Sequence, residues 1–189
     1  MMIKQSLSLL LALYLVMLWH PGNSKGDEPG QRESSTSYWA EAGIVQRVVI
    51  SKSRKELLYQ ENGQAMLSCP VAVSKKRERK KRRGDGCTPE GRFTVAGRYR
   101  NALLLDYPDT STAFEALSAR EITRAQSRAI EEAHRLHLLP PQDTPLGSYL
   151  SLRPGDTRQS TRGDIRLADK DFTWLASRLR EGATIEILP

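Results

Sequence analysis

The sequence predicts a single, mostly-β domain interrupted by two helical segments. Three observations lead there. Val45 to Ile50 is a β-branched run of strand length. Asn62-Gly63 separates two further strand-like runs, Glu56 to Gln60 and Ala65 to Val73, and is the strongest short hairpin signal in the chain, fitting a type I′ turn. Thr184 to Leu188 alternates as a last strand with Glu186 outward, and apolar residues recur at helical spacing in only two places. The 189 residues fit one domain with flanking segments.

The chain opens with Lys4 ahead of an apolar run from Leu7 to Trp19, followed by Gly22-Asn23-Ser24. That order predicts an export signal over residues 1–24, either cleaved or kept as a membrane anchor. Residues 25–41 read as a flexible linker and 42–189 as the domain. Both readings put the domain outside the cytoplasm, in the periplasm or cell envelope. The net charge of +7 then favours an anionic surface over nucleic acid.

Within the domain, Lys52-Ser53-Arg54-Lys55 turns the first strand into the hairpin, giving an antiparallel meander. Lys75 to Arg83 follows with eight cations (Lys75, Lys76, Arg77, Arg79, Lys80, Lys81, Arg82 and Arg83) against Glu78 alone. Such a block repels itself and predicts a mobile, solvated loop. It is either without a specific partner or a docking element for anionic wall polymer or lipid. Gly84 to Gly91 is turn-rich. Arg92 to Ala96 and Ala102 to Asp106 are strands, the second closed by Tyr107-Pro108-Asp109. Ser118-Ala119-Arg120-Glu121 fits a capping box, and Ile122, Ala125, Ala129, Ala133 and Leu136 continue at helical spacing. His134 and His137 lie three apart near that helix's end, with no third ligand nearby in sequence, so no metal or other cofactor is expected.

Pro140 to Pro145 stops the helix. Leu146 to Leu152 is a strand and Arg153 to Asp156 a turn. Ser160 to Leu167 reads as a tight turn feeding a short strand with Ile165 and Leu167 inward. Phe172, Leu175, Ala176 and Leu179 mark one face of a last helix, with Gly182 as its C-cap. In an exported protein, Cys69 and Cys87 are a candidate disulfide. The alternative is two separate thiols, one in a strand and one in a loop.

Several segments, in order, resemble the L,D-transpeptidase (YkuD-type) catalytic domain. They are Val48-Val49-Ile50, Cys69-Pro70-Val71-Ala72-Val73, and Gly84-Asp85-Gly86-Cys87-Thr88-Pro89-Glu90-Gly91-Arg92-Phe93, which is similar to the family's Gly-Asp-x-x-Thr-Pro-Glu-Gly-x-Tyr/Phe. Leu105 to Pro108, Pro140 to Gly147 and Gly182 to Ile187 continue the likeness. The resemblance implies a β-sandwich or open barrel acting on peptidoglycan stem peptides, with Thr88, Pro89, Glu90 and Gly91 on the substrate side. In that family a cysteine in Thr/Ser-x-Gly-Cys attacks the stem carbonyl, supported by a histidine.

The chain departs from the pattern there. Gly163 matches the motif glycine, and Asp164 stands where the cysteine would be. Arg153 aligns with the histidine of Ile-x-Ile-His-Gly, Arg162 holds the alternative histidine position, and no histidine follows His137. A carboxylate is a weaker acyl nucleophile than a thiolate, and arginine stays protonated below about pH 12, so it is no general base. One expectation is therefore a non-catalytic relative in which Asp164 pairs with Arg153 or Arg162 in an inert salt bridge, which, if buried, would hold the cleft in shape, with truncation of one partner costing about 3–5 kcal/mol. Such a relative would bind peptidoglycan or a wall-synthesis protein. The alternative is an active transpeptidase or carboxypeptidase with displaced groups: Cys87 helped by His134 or His137, or Asp164 with Glu90 as acid and base. A third is a pure protein-interaction module.

Overall fold

Eight strands carry the fold of the computed structural model, which describes residues 43–189. The expected export signal (1–24), the linker (25–41) and residue 42 lie outside the described residues. The strands are β1 (Gln46–Ser51), β2 (Glu56–Glu61), β3 (Gln64–Ala72), β4 (Gly91–Tyr99), β5 (Ala102–Leu105), β6 (Ser151–Pro154), β7 (Ile165–Leu167) and β8 (Thr184–Leu188). The meander β1-β2-β3 forms as expected, and Asn62 (φ 49°) and Gly63 (φ 81°) both take the left-handed backbone that a type I′ turn requires.

The sheet closes. Its order is β1-β2-β3-β7-β6-β5-β4-β8, and β8 returns to pair in parallel with β1, Val48 opposite Ile185. The expected mostly-β barrel forms, and it is closed, each strand having a neighbour on both sides. β6 and β7 are the other parallel pair. Alternate residues point inward: Val48, Ile50, Leu57, Tyr59, Leu105, Leu152, Ile165, Leu167 and Ile185 are fully buried.

Three helices, not two, decorate the barrel: α1 (Thr110–Ser118), α2 (Arg124–Arg135) and α3 (Asp169–Ala176). Asp109 caps α1 by accepting from the Thr112 N–H, a start signal hidden inside what reads as a turn. Ser118 is the last residue of α1, so the expected capping box at Ser118–Glu121 is corrected. The box that exists is Thr123 with Gln126, one turn later. Ala113, Ala116, Ile122, Ile130 and Leu146 form a small second core between α1 and α2. The strand expected over Leu146–Leu152 is confined to Ser151–Pro154. The last helix ends at Ala176 rather than at Gly182, which sits in the following turn at φ 81°. Phe172 and Leu175 drop its inner face into the barrel core.

The two mouths of the barrel differ. The ends of β1 and β8 and the starts of β2 and β4 share one mouth, where Ser51 faces both Glu56 and Leu188 and Gly91 faces Ile187. The Asp164 turn belongs to this mouth, because β7 runs antiparallel to β3 and Ser74 bridges Thr161 just beyond it. Gln46, Glu61 and Thr184 mark the opposite mouth.

Candidate functional site: the Asp164 turn

Three segments meet at Asp164. Parallel pairing sets Leu152 opposite Ile165, which brings the Arg153 side chain across to the residue before β7. Arg153 Nη2 lies 2.6 Å from Asp164 Oδ2, and Ser151 Oγ is 3.5 Å from Asp164 Oδ1. The expected ion pair forms, and its partner is Arg153; Arg162 is exposed. It is not a buried pair: the two side chains are 41% and 25% exposed. Water therefore screens the pair, and it does not carry the cost of a buried one. Arg153 Nε is nevertheless buried with no hydrogen-bond partner among the described residues.

Thr161 builds the turn. Its Oγ1 donates to the Asp164 carbonyl (2.6 Å) and accepts from the Gly163 N–H (3.2 Å). Gly163 has φ +125°, and a Cβ there would lie 2.9 Å from the Cys87 carbonyl oxygen. Only glycine fits. The close approach places the Cys87 loop against the Asp164 turn. The loop is tied down from below: Ser74 N–H donates to Thr88 Oγ1 (3.0 Å), and Ser74 Oγ donates to the Gly86 carbonyl (2.5 Å).

The groups of the displaced-chemistry readings are engaged elsewhere. Burial pushes the Cys87 thiol up, with the Asp85 charge adding to it and Lys76 opposing it. His134 Nε2 is 2.9 Å from the Pro108 carbonyl and its Nδ1 is 3.6 Å from Asp106, while His137 is exposed at the end of α2. Glu90 binds Lys52 at 2.6 Å. Thr88 and Pro89 are buried, so of the four residues expected on the substrate side only Glu90 and Gly91 reach solvent. No group of three His, Cys, Asp or Glu that could hold a metal occurs among the described residues. The expected disulfide is corrected too: Cys69 and Cys87 are free and buried. Cys69 faces the barrel core, where burial and the charges of Asp171 and Glu56 push its thiol up to about 11.

The basic block is not the free loop its composition predicts. Lys80 is buried, with Nζ 2.9 Å from Asp85 Oδ1. Arg79 reaches Thr112 and Glu115, Arg83 donates to the carbonyls of Gln142 and Gly147, and Lys76 Nζ donates to the Asp85 carbonyl. Arg82 stands 3.8 Å from Glu121. Lys75, Arg77 and Lys81 have exposed side chains. Five of the eight cations are thus held by neighbouring groups of the fold.

Asp85 is the hub of that bracing. Burial disfavours its charge. The N–H groups of Arg82, Cys87 and Lys81 and the Lys80 ammonium outweigh burial and hold its carboxyl at about 2. Gln142 plays the same part on the facing loop: its amide donates to the carbonyls of Tyr107 (2.7 Å) and Pro140 (2.8 Å) and accepts from Ser148 and Tyr149. Sequence reasoning gave neither Asp85 nor Gln142 nor Ser151 a role. Asp85 and Gln142 lie inside the segments quoted above, which was the signal available.

A closed barrel with polar loops gathered over one mouth is the class that fold and site define. The L,D-transpeptidase catalytic domain (YkuD) family model matches residues 45–187, and the chain belongs to that family. Among solved structures it is similar to Bdellovibrio bacteriovorus Bd1075 (19% identity, TM-score 0.50, 78% of this chain and 49% of that one). It is also similar to an L,D-transpeptidase from Xylanimonas cellulosilytica (12%, 0.46, 77% and 61%) and to Mycobacterium tuberculosis L,D-transpeptidase 1 (14%, 0.44, 78% and 63%). The chain spans less than two thirds of the length of each. No curated protein sequence matches it.

Proposed function

We propose that this chain is an exported, non-catalytic relative of the L,D-transpeptidases that binds peptidoglycan or a wall-synthesis enzyme at the Asp164 mouth. The observation that carries the reading is the 2.6 Å contact between Arg153 and Asp164. By the motif alignment these are the positions of the family's histidine and cysteine. A thiolate–imidazolium pair and a carboxylate–guanidinium pair have the same signs, so the mouth keeps its charge pattern. It loses a nucleophile that leaves as a good thiolate and a base that can give up its proton. Cys87 offers no replacement, since its thiol is buried and that burial disfavours the thiolate.

In this reading the mouth holds a stem peptide without cleaving it. Lys75, Arg77 and Lys81 add attraction to anionic wall polymer or lipid. The test incubates the purified protein with sacculi, analyses muropeptides by mass spectrometry, and pellets the sacculi at low and high salt. Unchanged muropeptides with salt-resistant pelleting are expected. New cross-links or lost terminal D-residues would overturn inactivity. Pelleting abolished by salt would reduce the interaction to the exposed cations alone. Protein left in solution at both salts would point to a protein partner instead.

A further inference from the structure

The opposite mouth of the barrel carries an arginine cluster that the Asp164 site does not use. Arg98, near the end of β4, donates from Nη2 to the Leu179 carbonyl. That ties its guanidinium to the main chain of the segment that carries Arg178 and Arg180. Gln46, itself buried, fixes the same backbone: its Nε2 donates to the Arg178 carbonyl (2.8 Å) and its Oε1 accepts from the Arg180 N–H (2.9 Å). Arg178 lies flat on Trp174, 3.9 Å from the ring centroid. The three border an open cavity of about 450 Å³ with Ile44, Glu61 and Glu181 on its wall.

Several arginines of the fold are paired: Arg47 with Glu186, Arg79 with Glu115, Arg135 with Glu132 and Arg153 with Asp164. Arg98, Arg178 and Arg180 have no ion pair among the described residues, although two carboxylates share their cavity. Glu61 is instead the acceptor of the Tyr59 hydroxyl at 2.5 Å. Burial and that carboxylate push the Tyr59 hydroxyl up to about 12, so it remains a donor.

We propose that this cavity binds a phosphorylated polyol or sugar. The guanidinium donors left over on Arg98, Arg178 and Arg180 line one wall, outnumber what a lone carboxylate can use and suit the oxygens of a phosphate. The free oxygens of Glu61 and Glu181 repel a bare anion and accept from hydroxyl groups, so the lining selects a ligand that carries both. The cavity is several times larger than a phosphate alone. The site lies at the far mouth from Asp164 and stands independently of the proposed function.

The test titrates the ¹⁵N-labelled full chain with sn-glycerol 1-phosphate, inorganic phosphate and glycerol, and repeats it on Arg180→Gln and Arg98→Gln. Expected are saturable shifts confined to residues near 44–46 and 178–183. Glycerol phosphate should bind more tightly than phosphate, and each variant should weaken it about tenfold, the loss of a charge-assisted hydrogen bond. Arg180→Gln changes an exposed side chain and tests the site even if Arg98→Gln unfolds. Equal affinity for phosphate and glycerol phosphate would overturn the polyol assignment. Absence of shifts at these residues, or shifts that both variants retain, would overturn the site. Pelleting with phosphatidylglycerol-containing vesicles that is lost in Arg180→Gln would assign the ligand to a lipid headgroup. Binding of a soluble poly(glycerol phosphate) without pelleting would assign it to a wall polymer.

Discussion

Replacing Asp85 by Asn tests the bracing of the Asp164 mouth at its centre. Asp85 accepts from Lys80 Nζ (2.9 Å) and from the N–H groups of Lys81 (2.8 Å), Arg82 (3.0 Å) and Cys87 (3.0 Å). Despite burial, these donors hold its carboxyl at about 2, against an ordinary 3.8. A depression of that size corresponds to about 2 kcal/mol of folding stability at neutral pH. Leaving the Lys80 ammonium buried without a counter-charge raises the ceiling to about 3–5 kcal/mol. The sign follows from the depressed value. The unfolded chain binds the proton more readily, so the contribution is complete above about pH 4 and fades as the pH falls through 2. The assay is urea unfolding of wild type and Asp85→Asn from pH 7 down to pH 2. The variant should be less stable by about 2–5 kcal/mol at pH 7, and the gap should narrow in acid. A variant as stable as wild type at pH 7, or a gap that does not change with pH, would refute the reasoning.

Three further outcomes follow from the same geometry. Gly163→Ala sets a Cβ 2.9 Å from the Cys87 carbonyl at a left-handed φ, and calorimetry should show a loss of about 1–3 kcal/mol. Arg153→Ala removes a partly exposed pair, so the same measurement should show a loss of about 1 kcal/mol or less; a loss near 4 would mean that the pair is desolvated in solution. Cys69 and Cys87, buried and with raised thiol values, should react with a thiol reagent at pH 8 only as fast as the protein opens, and rapidly in urea; fast labelling of the native protein would contradict their burial.

Strands whose pattern was local were readable from the sequence, and features made by distant partners were not. Asn62-Gly63 announces its hairpin because the turn chemistry lies within two residues. Barrel closure depends on β8 finding β1, a pairing that no window of sequence contains. The α1 helix was missed because its cap, Asp109, also suits the turn before it. At the site, an ion pair between Asp164 and an arginine was legible from residue type and motif position, but not whether the partner is Arg153 or Arg162, which the parallel β6–β7 pairing decides. The exposure of the pair was not legible either, since solvent access depends on how three loops pack. The basic block misled for a related reason: its composition cannot reveal that Asp85 and the carbonyls of the Gln142 loop lie within reach of Lys80 and Arg83.

Because β8 follows every other strand in order and lies between β1 and β4, the barrel cannot close until Thr184–Leu188 have been made. During synthesis the first and fourth strands each wait with one side unpaired while more than a hundred residues emerge behind β1. The domain therefore acquires its cooperative unit only once β8 is in place. A chain cut before β8 would be an open, aggregation-prone sheet, and any factor that must handle this domain unfolded has the interval between β1 and β8 in which to engage it.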